Sequence, residues 1–399
     1  MTVVKGPLNG VIVLDLTRVL AGPYCTMLLH DLGARVIKIE IPDTGDDSRT
    51  FGPFLKDLSL YFASINRGKE SLSLNLKKPE GKEILKKLVA KADVIIENFR
   101  PGTMEKLGLG YDELERINPR IIYAASSGYG HTGPDSRKPS YDILAQARGG
   151  VMSITGWPGG EPTRVGLSFG DLSASLFTAV GINAALYERE TSGRGQKIDV
   201  AMLDSQVALL ENALVRYQVD GVPPEPLGHR HPTIAPFQAV KARDRYFVVA
   251  IGNDILWQKF CQLVEHDELM TNPKFATNRG RCDHIKELDE ILAAVFADKT
   301  ADEWMALLEE AGIPHAPINT VAQVMEDSQV LDRQMIVDME DPRVGTVKLA
   351  GNPIKMTHLP ETGKRGRTPE VGEHSAAVLK EFLQYTTDQI AELKQNGVI

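Results

Sequence analysis

Asp171 is the residue of this chain that most invites a chemical reading. It follows GLSFG and precedes LSASLFTAV, so it stands where a glycine-bearing loop runs into a long apolar stretch. Two readings compete. Asp is among the preferred helix N-caps, where its carboxylate accepts N–H bonds from the first turn. The same position, at the positive end of a helix dipole, keeps a carboxylate ionised at neutral pH. An ionised carboxylate can act as a covalent nucleophile. The residue by itself leaves both readings open.

Three other patterns bear on chemistry. Gly128, Gly130 and Gly133 spell G-x-G-x-x-G. In a nicotinamide site, such glycines let a pyrophosphate approach a helix N-terminus. Here PDSRKP follows at residues 134–139, which reads as loop, and the first strand-to-helix turn holds only Gly22. The string reads as a glycine loop. His229 and His231 have the spacing of a metal-binding pair, but no third carboxylate or thiol ligand stands nearby, so no metal is expected. Basic residues gather after the expected strands: Lys77, Arg100, Lys106, Arg137 and Lys138. Ligands of open α/β sheets bind at the carboxyl ends of strands, and cations there suit a phosphorylated ligand. Each cation taken singly is equally a solvated surface charge.

The elements that would position these residues alternate. Residues 11–16 (VIVLDL) and 34–40 (ARVIKIE) are short β-branched runs, with a helix through 24–32 between them. Pro79 and Glu80 open a helix with one apolar face at Ile84, Leu85, Leu88, Val89 and Ala92. Strands are expected at 93–99, 120–126 and 196–202, with a long helix from near Asp171 to about Arg189. This alternation predicts an α/β, doubly wound, mostly parallel sheet. The pattern changes at GVPPEP (221–226), a Pro/Gly-rich connection. Beyond it, 237–241 and 246–251 flank ARDR as a hairpin, and helices follow, one at 302–311. The expected division is a large domain over 1–220, a small α+β domain over 221–331, and a segment at 332–399 that returns to the large domain and ends in a helix near 375–383.

Composition narrows the class. Lys plus Arg number 45 against 53 for Asp plus Glu, a net charge of −8 without a basic block, which argues against nucleic acid and membrane surfaces as partners. The three cysteines form no CxxC pair and read as reduced thiols of a cytoplasmic protein. The first residues lack a leader's apolar core, and no contiguous apolar run approaches the length that spans a bilayer.

In several stretches the chain resembles the class III CoA-transferases, the family of formyl-CoA transferase and carnitine CoA-transferase. The matching stretches are VLDLTRVLAGP (13–23), GARVIKIE (33–40), NRGKESLSLNLK (66–77), ENFRPGTMEKLGLGY (97–111) and SGYGHTGP (127–134). They continue with SYDILAQARGG (140–150), the Gly170–Asp171 pair and TSGRGQKIDVAMLDS (191–205). HPTIAPFQAVKARDRYFVVAIGND (231–254) is most similar to the branch acting on succinate, glutarate and hydroxymethylglutarate.

The resemblance implies a Rossmann-like large domain, an inserted small domain and two subunits interlocked as rings. It implies a CoA-transferase with acyl-CoA as substrate, no prosthetic group, and Asp171 as nucleophile. Its CoA contacts fall on Val19, Leu20, Ala21, Leu74, Asn75, Lys77, Asn98, Phe99, Arg100, Lys106, Lys138, Tyr141 and Asp142. Leu20 and Ile41 replace a glutamine and an arginine of formyl-CoA transferase, and its run of four glycines is missing. Those departures set formyl-CoA and oxalate aside as substrates. A dicarboxylate acceptor would need a cationic anchor, for which His229, Arg230 and His231 are the candidates. The same fold carries α-methylacyl-CoA racemases, but their G-H-D histidine is absent from Ser140-Tyr141-Asp142. That reading ranks second, ahead of an NAD-dependent oxidoreductase and a non-catalytic acyl-CoA binder.

Overall fold

The computed structural model describes residues 6–359 and 361–399; residues 1–5, part of the stretch read for a leader, lie outside them. The chain divides into two compact units. One takes residues up to 151, 164–220 and 328–399, and the other takes 152–163 and 221–327. Residues 152–163 therefore leave the expected first segment. Gly156 O accepts the Gly228 N–H at 2.8 Å, and Trp157 packs over Gly228, where a Cβ would stand 2.7 Å from the ring.

The first unit is built on six strands: β1 (Ile12–Asp15), β2 (Arg35–Glu40), β3 (Glu70–Ser73), β4 (Val94–Glu97), β5 (Ile122–Ser127) and β6 (Lys197–Ala201). All neighbours are parallel, in the order β3-β2-β1-β4-β5-β6. Side chains alternate across the sheet with the strand period of two. Leu14, Ile37, Leu72, Ile95 and Tyr123 enter one core cluster, while Val13, Val36, Val94, Ile96 and Ile122 enter another. A sheet buried on both faces needs such unbroken apolar strands.

Helix α1 (Ala21–Asp31) lies on the second cluster, and α2 (Leu60–Asn66) follows. Helix α3 (Pro79–Val89) buries Ile84, Leu85, Leu88 and Val89 in the first cluster, with Pro79 in its first turn. Truncating one such residue, as in Ile95→Ala, would cost about 2–5 kcal/mol. Downstream come α4 (Asp142–Arg148), α5 (Phe169–Ser192), α6 (Met202–Ala208) and α7 (Asn212–Asp220).

Helix α5 corrects one expectation. Although no unbroken apolar run was found, this 24-residue helix is long and apolar enough by composition to cross a bilayer. Its buried face carries small residues, Ala179 and Ala185 beside Ile182, that let it seat closely on the sheet.

The tail of the first unit forms an edge sheet from β10 (Ile336–Asp341), β11 (Gly345–Ala350) and β12 (Lys364–Arg365). The expected helix is present as α11 (Ser375–Leu383), with Val378, Leu379 and Phe382 in the first cluster, but it does not end the chain. Helix α12 (Thr387–Gln395), capped by Thr386 and Gln389, follows and adds Ile390 to that cluster.

In the second unit, β7 (Phe237–Lys241) and β8 (Tyr246–Ala250) form the expected antiparallel hairpin, and β9 (His315–Pro317) adds to β8. Helices α8 (Asp254–Leu263), α9 (Ile285–Phe296) and α10 (Ala301–Glu310) surround a core of Phe247, Trp257, Phe260, Phe296 and Trp304. Helix α10 starts one residue before the expected span, where Thr300 and Glu303 form a capping box.

Candidate active site

The turn after β1 has a constrained backbone. Val19 has φ +67°, a left-handed conformation that a β-branched residue adopts at a cost of about 1–3 kcal/mol. Its neighbours over-determine it. Asn98 clamps Arg18 twice, accepting from the Arg18 N–H at 2.8 Å and donating to the Arg18 carbonyl at 2.8 Å. Asp46 Oδ1 accepts the Val19 N–H at 3.1 Å.

Beneath the turn lies a buried charge network. Lys38 Nζ is 2.8 Å from Asp46 Oδ2 and donates to Thr17 O at 2.7 Å. Asp15 accepts from the Thr17 and Thr26 hydroxyls and pairs with Lys69 at 3.1 Å. Burial pushes the Asp15 pKa up, but Lys69, Lys38 and the two hydroxyls outweigh it and hold the carboxyl well below the usual range. Burial lowers Lys69 to about 8. The turn therefore rests on fixed charges. Among the described residues, the N–H groups of Leu20 and Gly22, at the start of α1, make no hydrogen bond.

Asp171 sits one helix away. Ser175 Oγ lies 2.5 Å from Ala21 O and 2.7 Å from Asp171 O, so one hydroxyl spans the starts of α1 and α5. The structure decides against the capping reading: Ser168 occupies the N-cap, and Asp171 is the third residue of the helix. No donor bonds the Asp171 carboxylate among the described residues. The expectation of an ordinary ionised carboxylate is also overturned. Burial, with the neighbouring Asp142 charge, raises its pKa to about 7, against what the helix dipole alone would do.

Asp142 also fixes the loop that carries Asp171. Its Oδ1 accepts the Gly170 N–H at 2.7 Å and its Oδ2 accepts from Gln146 at 2.8 Å, with Arg164 3.5 Å away. Gln146 Oε1 takes the Val165 N–H at 2.9 Å. Gly170 packs closely on Asp142: a Cβ would stand 3.1 Å from Oδ1, so that carboxylate would have to give by a few tenths of an ångström.

The residues given a CoA-binding role divide. Val19, Leu20 and Ala21 follow β1, Asn98, Phe99 and Arg100 follow adjacent β4, and Leu74, Asn75 and Lys77 follow β3, all at carboxyl ends of the sheet. Leu74 buries its side chain in the first core cluster, so only its backbone can meet a ligand. Asn75 caps its own turn at Lys77 N and reaches Gly397 O. The Asn98 amide is spent on Arg18, and the Asp142 carboxylate on Gly170 and Gln146. Lys77, Arg100 and Lys106 are exposed and make no ion pair among the described residues. Lys138 pairs with Asp135 at 2.6 Å, and Tyr141 is exposed.

The three candidate acceptor residues belong to the second unit and do not converge. His229 and Arg230 line a cavity there, whereas His231 turns onto Phe237 and accepts the Thr233 N–H. Among the described residues no group of three metal-ligating side chains assembles. Gly128 of the literal nucleotide motif lies against Ser140, where a Cβ would be 2.2 Å from that side chain, and no helix starts before Asp142.

Sequence reasoning missed Tyr61, Asp46 and Ser175. Burial and the charges of Asp171, Asp46 and Asp142 push the Tyr61 phenol up to about 12, so it keeps its proton and can donate. Ser175 alone had a sequence signal, standing four residues after Asp171 on the same helical face.

The chain's likeness to known proteins runs over nearly its full length. The model of CoA-transferase family III matches residues 8–375. The chain is 44% identical over 379 residues to an acetyl-CoA:oxalate CoA-transferase of Acetobacter aceti, covering 95% of this chain and 96% of the relative. It is 41% identical over 394 residues to the succinyl-CoA:glutarate CoA-transferase of Homo sapiens, covering 98% and 90%. A crystal structure of a CAIB/BAIF family protein from Brucella suis superposes with a TM-score of 0.82 at 38% identity, over 94% of this chain and 99% of that one. With a parallel α/β sheet, a poised carboxylate and full-length kinship in agreement, this chain belongs to CoA-transferase family III and is a CoA-transferase.

Proposed function

We propose that the enzyme moves CoA from an acyl-CoA to a free dicarboxylate through an aspartyl-CoA thioester on Asp171. The observation that carries this reading is the Asp171 carboxylate itself, without a hydrogen-bond donor and joined through Ser175 to the start of α1, where N–H groups are unspent. A carboxylate short of donors is a better nucleophile than a solvated one, and its pKa near 7 leaves a working fraction ionised.

The steps balance without metal or ATP. An Asp171 oxygen attacks the donor thioester carbon, the C–S bond breaks, and a mixed anhydride and CoA thiolate result. The thiolate attacks the Asp171 acyl carbon, releasing the donor acid and leaving the aspartyl-CoA thioester. The acceptor carboxylate attacks that carbon and expels the thiolate again. The thiolate then takes the acceptor's acyl carbon and frees Asp171. Each tetrahedral intermediate carries an oxyanion, for which the N–H groups of Leu20 and Gly22 are the proposed donors. Exposed Lys77, Arg100 and Lys106 at the strand ends suit the phosphates of CoA.

Dicarboxylate acceptors are supported by the relatives, which act on oxalate and glutarate. Oxalate, set aside on the departures at Leu20 and Ile41, returns to the acceptor panel because an oxalate-using relative is 44% identical. The strand order, with its reversal between β1 and β4, supports the Rossmann-like doubly wound reading. A homodimer accords with exposed Leu176, Phe177, Val180 and Tyr187 on α5 and Leu214, Val215, Tyr217 and Val219 on α7.

The test incubates the protein with acetyl-CoA or succinyl-CoA and a panel of mono- and dicarboxylates, with mass detection of new acyl-CoAs. New dicarboxylyl-CoA, and its loss in a folded Asp171→Ala variant, is the expected result. Normal turnover by Asp171→Ala would overturn the mechanism. Acceptor-free deuterium uptake from D₂O by a chiral 2-methylacyl-CoA would favour racemisation instead.

A further inference from the structure

The second unit holds a cavity of about 280 Å³, at the lower end of the roughly 300–1,000 Å³ usual for ligand sites. Its walls come from four stretches of that unit, 157–158, 227–230, 238–241 and 289–293. Leu227, Val240 and Leu292 give an apolar lining, Trp157 and Pro158 stand at the rim, and Arg230 and His229 bring polarity. The Arg230 side chain is only 25% exposed, yet its guanidinium makes no hydrogen bond among the described residues. Its nearest carboxylate oxygen is Asp289 Oδ2 at 3.7 Å, too long for a close pair. The other oxygen of Asp289 is taken by Gln238 Nε2 at 2.7 Å. The second cation of the lining, Lys241, is engaged elsewhere, against the Tyr246 ring and Asp244 O.

The Arg230 side chain is three-quarters covered while its unbonded N–H groups still reach solvent, so they stand free to take a ligand from the cavity. The guanidinium fork matches a carboxylate bidentately, and Asp289 Oδ2, also in the cavity lining, stands 3.7 Å from it on one side. The apolar walls suit a short carbon body, and the edge-on Trp157–His229 pair, 5.1 Å between ring centres, forms one side of the mouth. Gly228 has no side chain beneath Trp157, which lets that ring seat where it does.

We propose that this cavity is a binding site for a small organic acid, its carboxylate on Arg230 and its carbon body against Val240 and Leu292. The site lies wholly within the second unit, and the proposal does not depend on the role given to Asp171. The acid is either an acceptor substrate or a separate effector, and the two share the same recognition chemistry.

Trp157 supplies the readout. Of the three tryptophans it is the exposed one, at 63%, while Trp257 and Trp304 are buried. Full-length protein is titrated with glutarate, butyrate and uncharged butyramide while tryptophan fluorescence is followed. Saturable quenching by an acid and none by the amide is expected. Trp157→Phe should remove the signal, and Arg230→Ala should weaken binding about 10–150-fold, the loss of a charge-assisted hydrogen bond. Ala293→Phe, which fills the mouth and keeps Arg230, should block binding as well. Asp171→Ala should bind the acid unchanged, so failure of the transfer mechanism and failure of this site are told apart. If the acceptor KM rises in Arg230→Ala in step with the weakened binding, the acid is the acceptor. If KM holds while binding is lost, it is an effector. Equal quenching by acid and amide, or quenching indifferent to Arg230→Ala in a folded protein, would overturn the proposal.

Discussion

Replacing Asp171 by Asn tests the electrostatics of the site independently of catalysis. Asn keeps the shape of the side chain and removes its charge. Asp171 rises from 3.8 to about 7 in the folded protein, a change of about 3 units, and each unit corresponds to 1.36 kcal/mol. An acid whose folded pKa is raised binds its proton more tightly folded than unfolded. Its stabilising influence is therefore complete below pH 3.8, lost progressively as pH rises toward 7, and constant above that. The Asn variant has no such loss. Its advantage over the parent should widen with pH, by nearly 3 kcal/mol between pH 5 and pH 8 for a fully buried group and by about 2 kcal/mol once partial solvent access is allowed for. Urea unfolding of both proteins at the two pH values, followed by circular dichroism at one protein concentration, measures the difference. The Asn variant should also be inactive in CoA transfer. A gap that does not change with pH would show that Asp171 ionises normally in the fold. A variant less stable at both pH values would return Asp171 to a capping role.

Two further predictions concern the turn after β1. Asn98→Ala leaves the Arg18 N–H and carbonyl unclamped and should cost about 1–3 kcal/mol in stability. If the clamp aims the oxyanion donors, kcat should fall about 10²-fold, the scale of one lost donor, with a much smaller change in KM for acyl-CoA; intact kcat would reduce Asn98 to a structural role. Val19→Gly removes the left-handed strain of a branched residue at the cost of backbone entropy. It should leave stability within about 1 kcal/mol of the parent, and a loss above about 2 kcal/mol in thermal unfolding would show that Val19 is not strained.

The sheet was legible because its strands are apolar on both faces and its helices are punctuated. Runs such as VIVLDL and RIIYAAS are short, bounded by turn residues and rich in β-branched or aromatic side chains, which favours buried strand over helix, and Pro79 marks the start of α3 by the geometry of proline. The reassignment of residues 152–163 was not legible in the same way. Nothing local in SITGWPGGEPT says that it will pair with Gly228, some seventy positions on; that depends on the absence of one side chain beneath a tryptophan. The spanning-length character of α5 was hidden for a related reason. A search for unbroken apolar runs stops at Asp171 and Asn183, whereas its average hydropathy does not.

The candidate site separates into what chemistry names and what packing decides. Asp171 could be found from residue type and the glycine before it, and the family resemblance suggested the role proposed for it. Its electrostatic state could not, because two opposed effects act on the same carboxylate. The helix start favours the charge, while burial and Asp142 disfavour it, and only distances say that the second pair wins. The same limit explains Asn98 and Asp142, read as ligand contacts from the family resemblance. Each spends polar atoms on holding a neighbouring segment, Asn98 on the Arg18 turn and Asp142 on Gly170 in the first turn of α5. Polar residues at the carboxyl edge of a parallel sheet have two uses, touching a ligand and holding the loops that touch it. Sequence position is identical for both. The buried Lys38–Asp46 and Lys69–Asp15 pairs extend the second use into the core, where charges hold an irregular turn with fixed geometry that apolar contacts would not impose. In this enzyme, the polar network around the proposed nucleophile is largely a means of keeping a strained turn and a donor-free side chain in register.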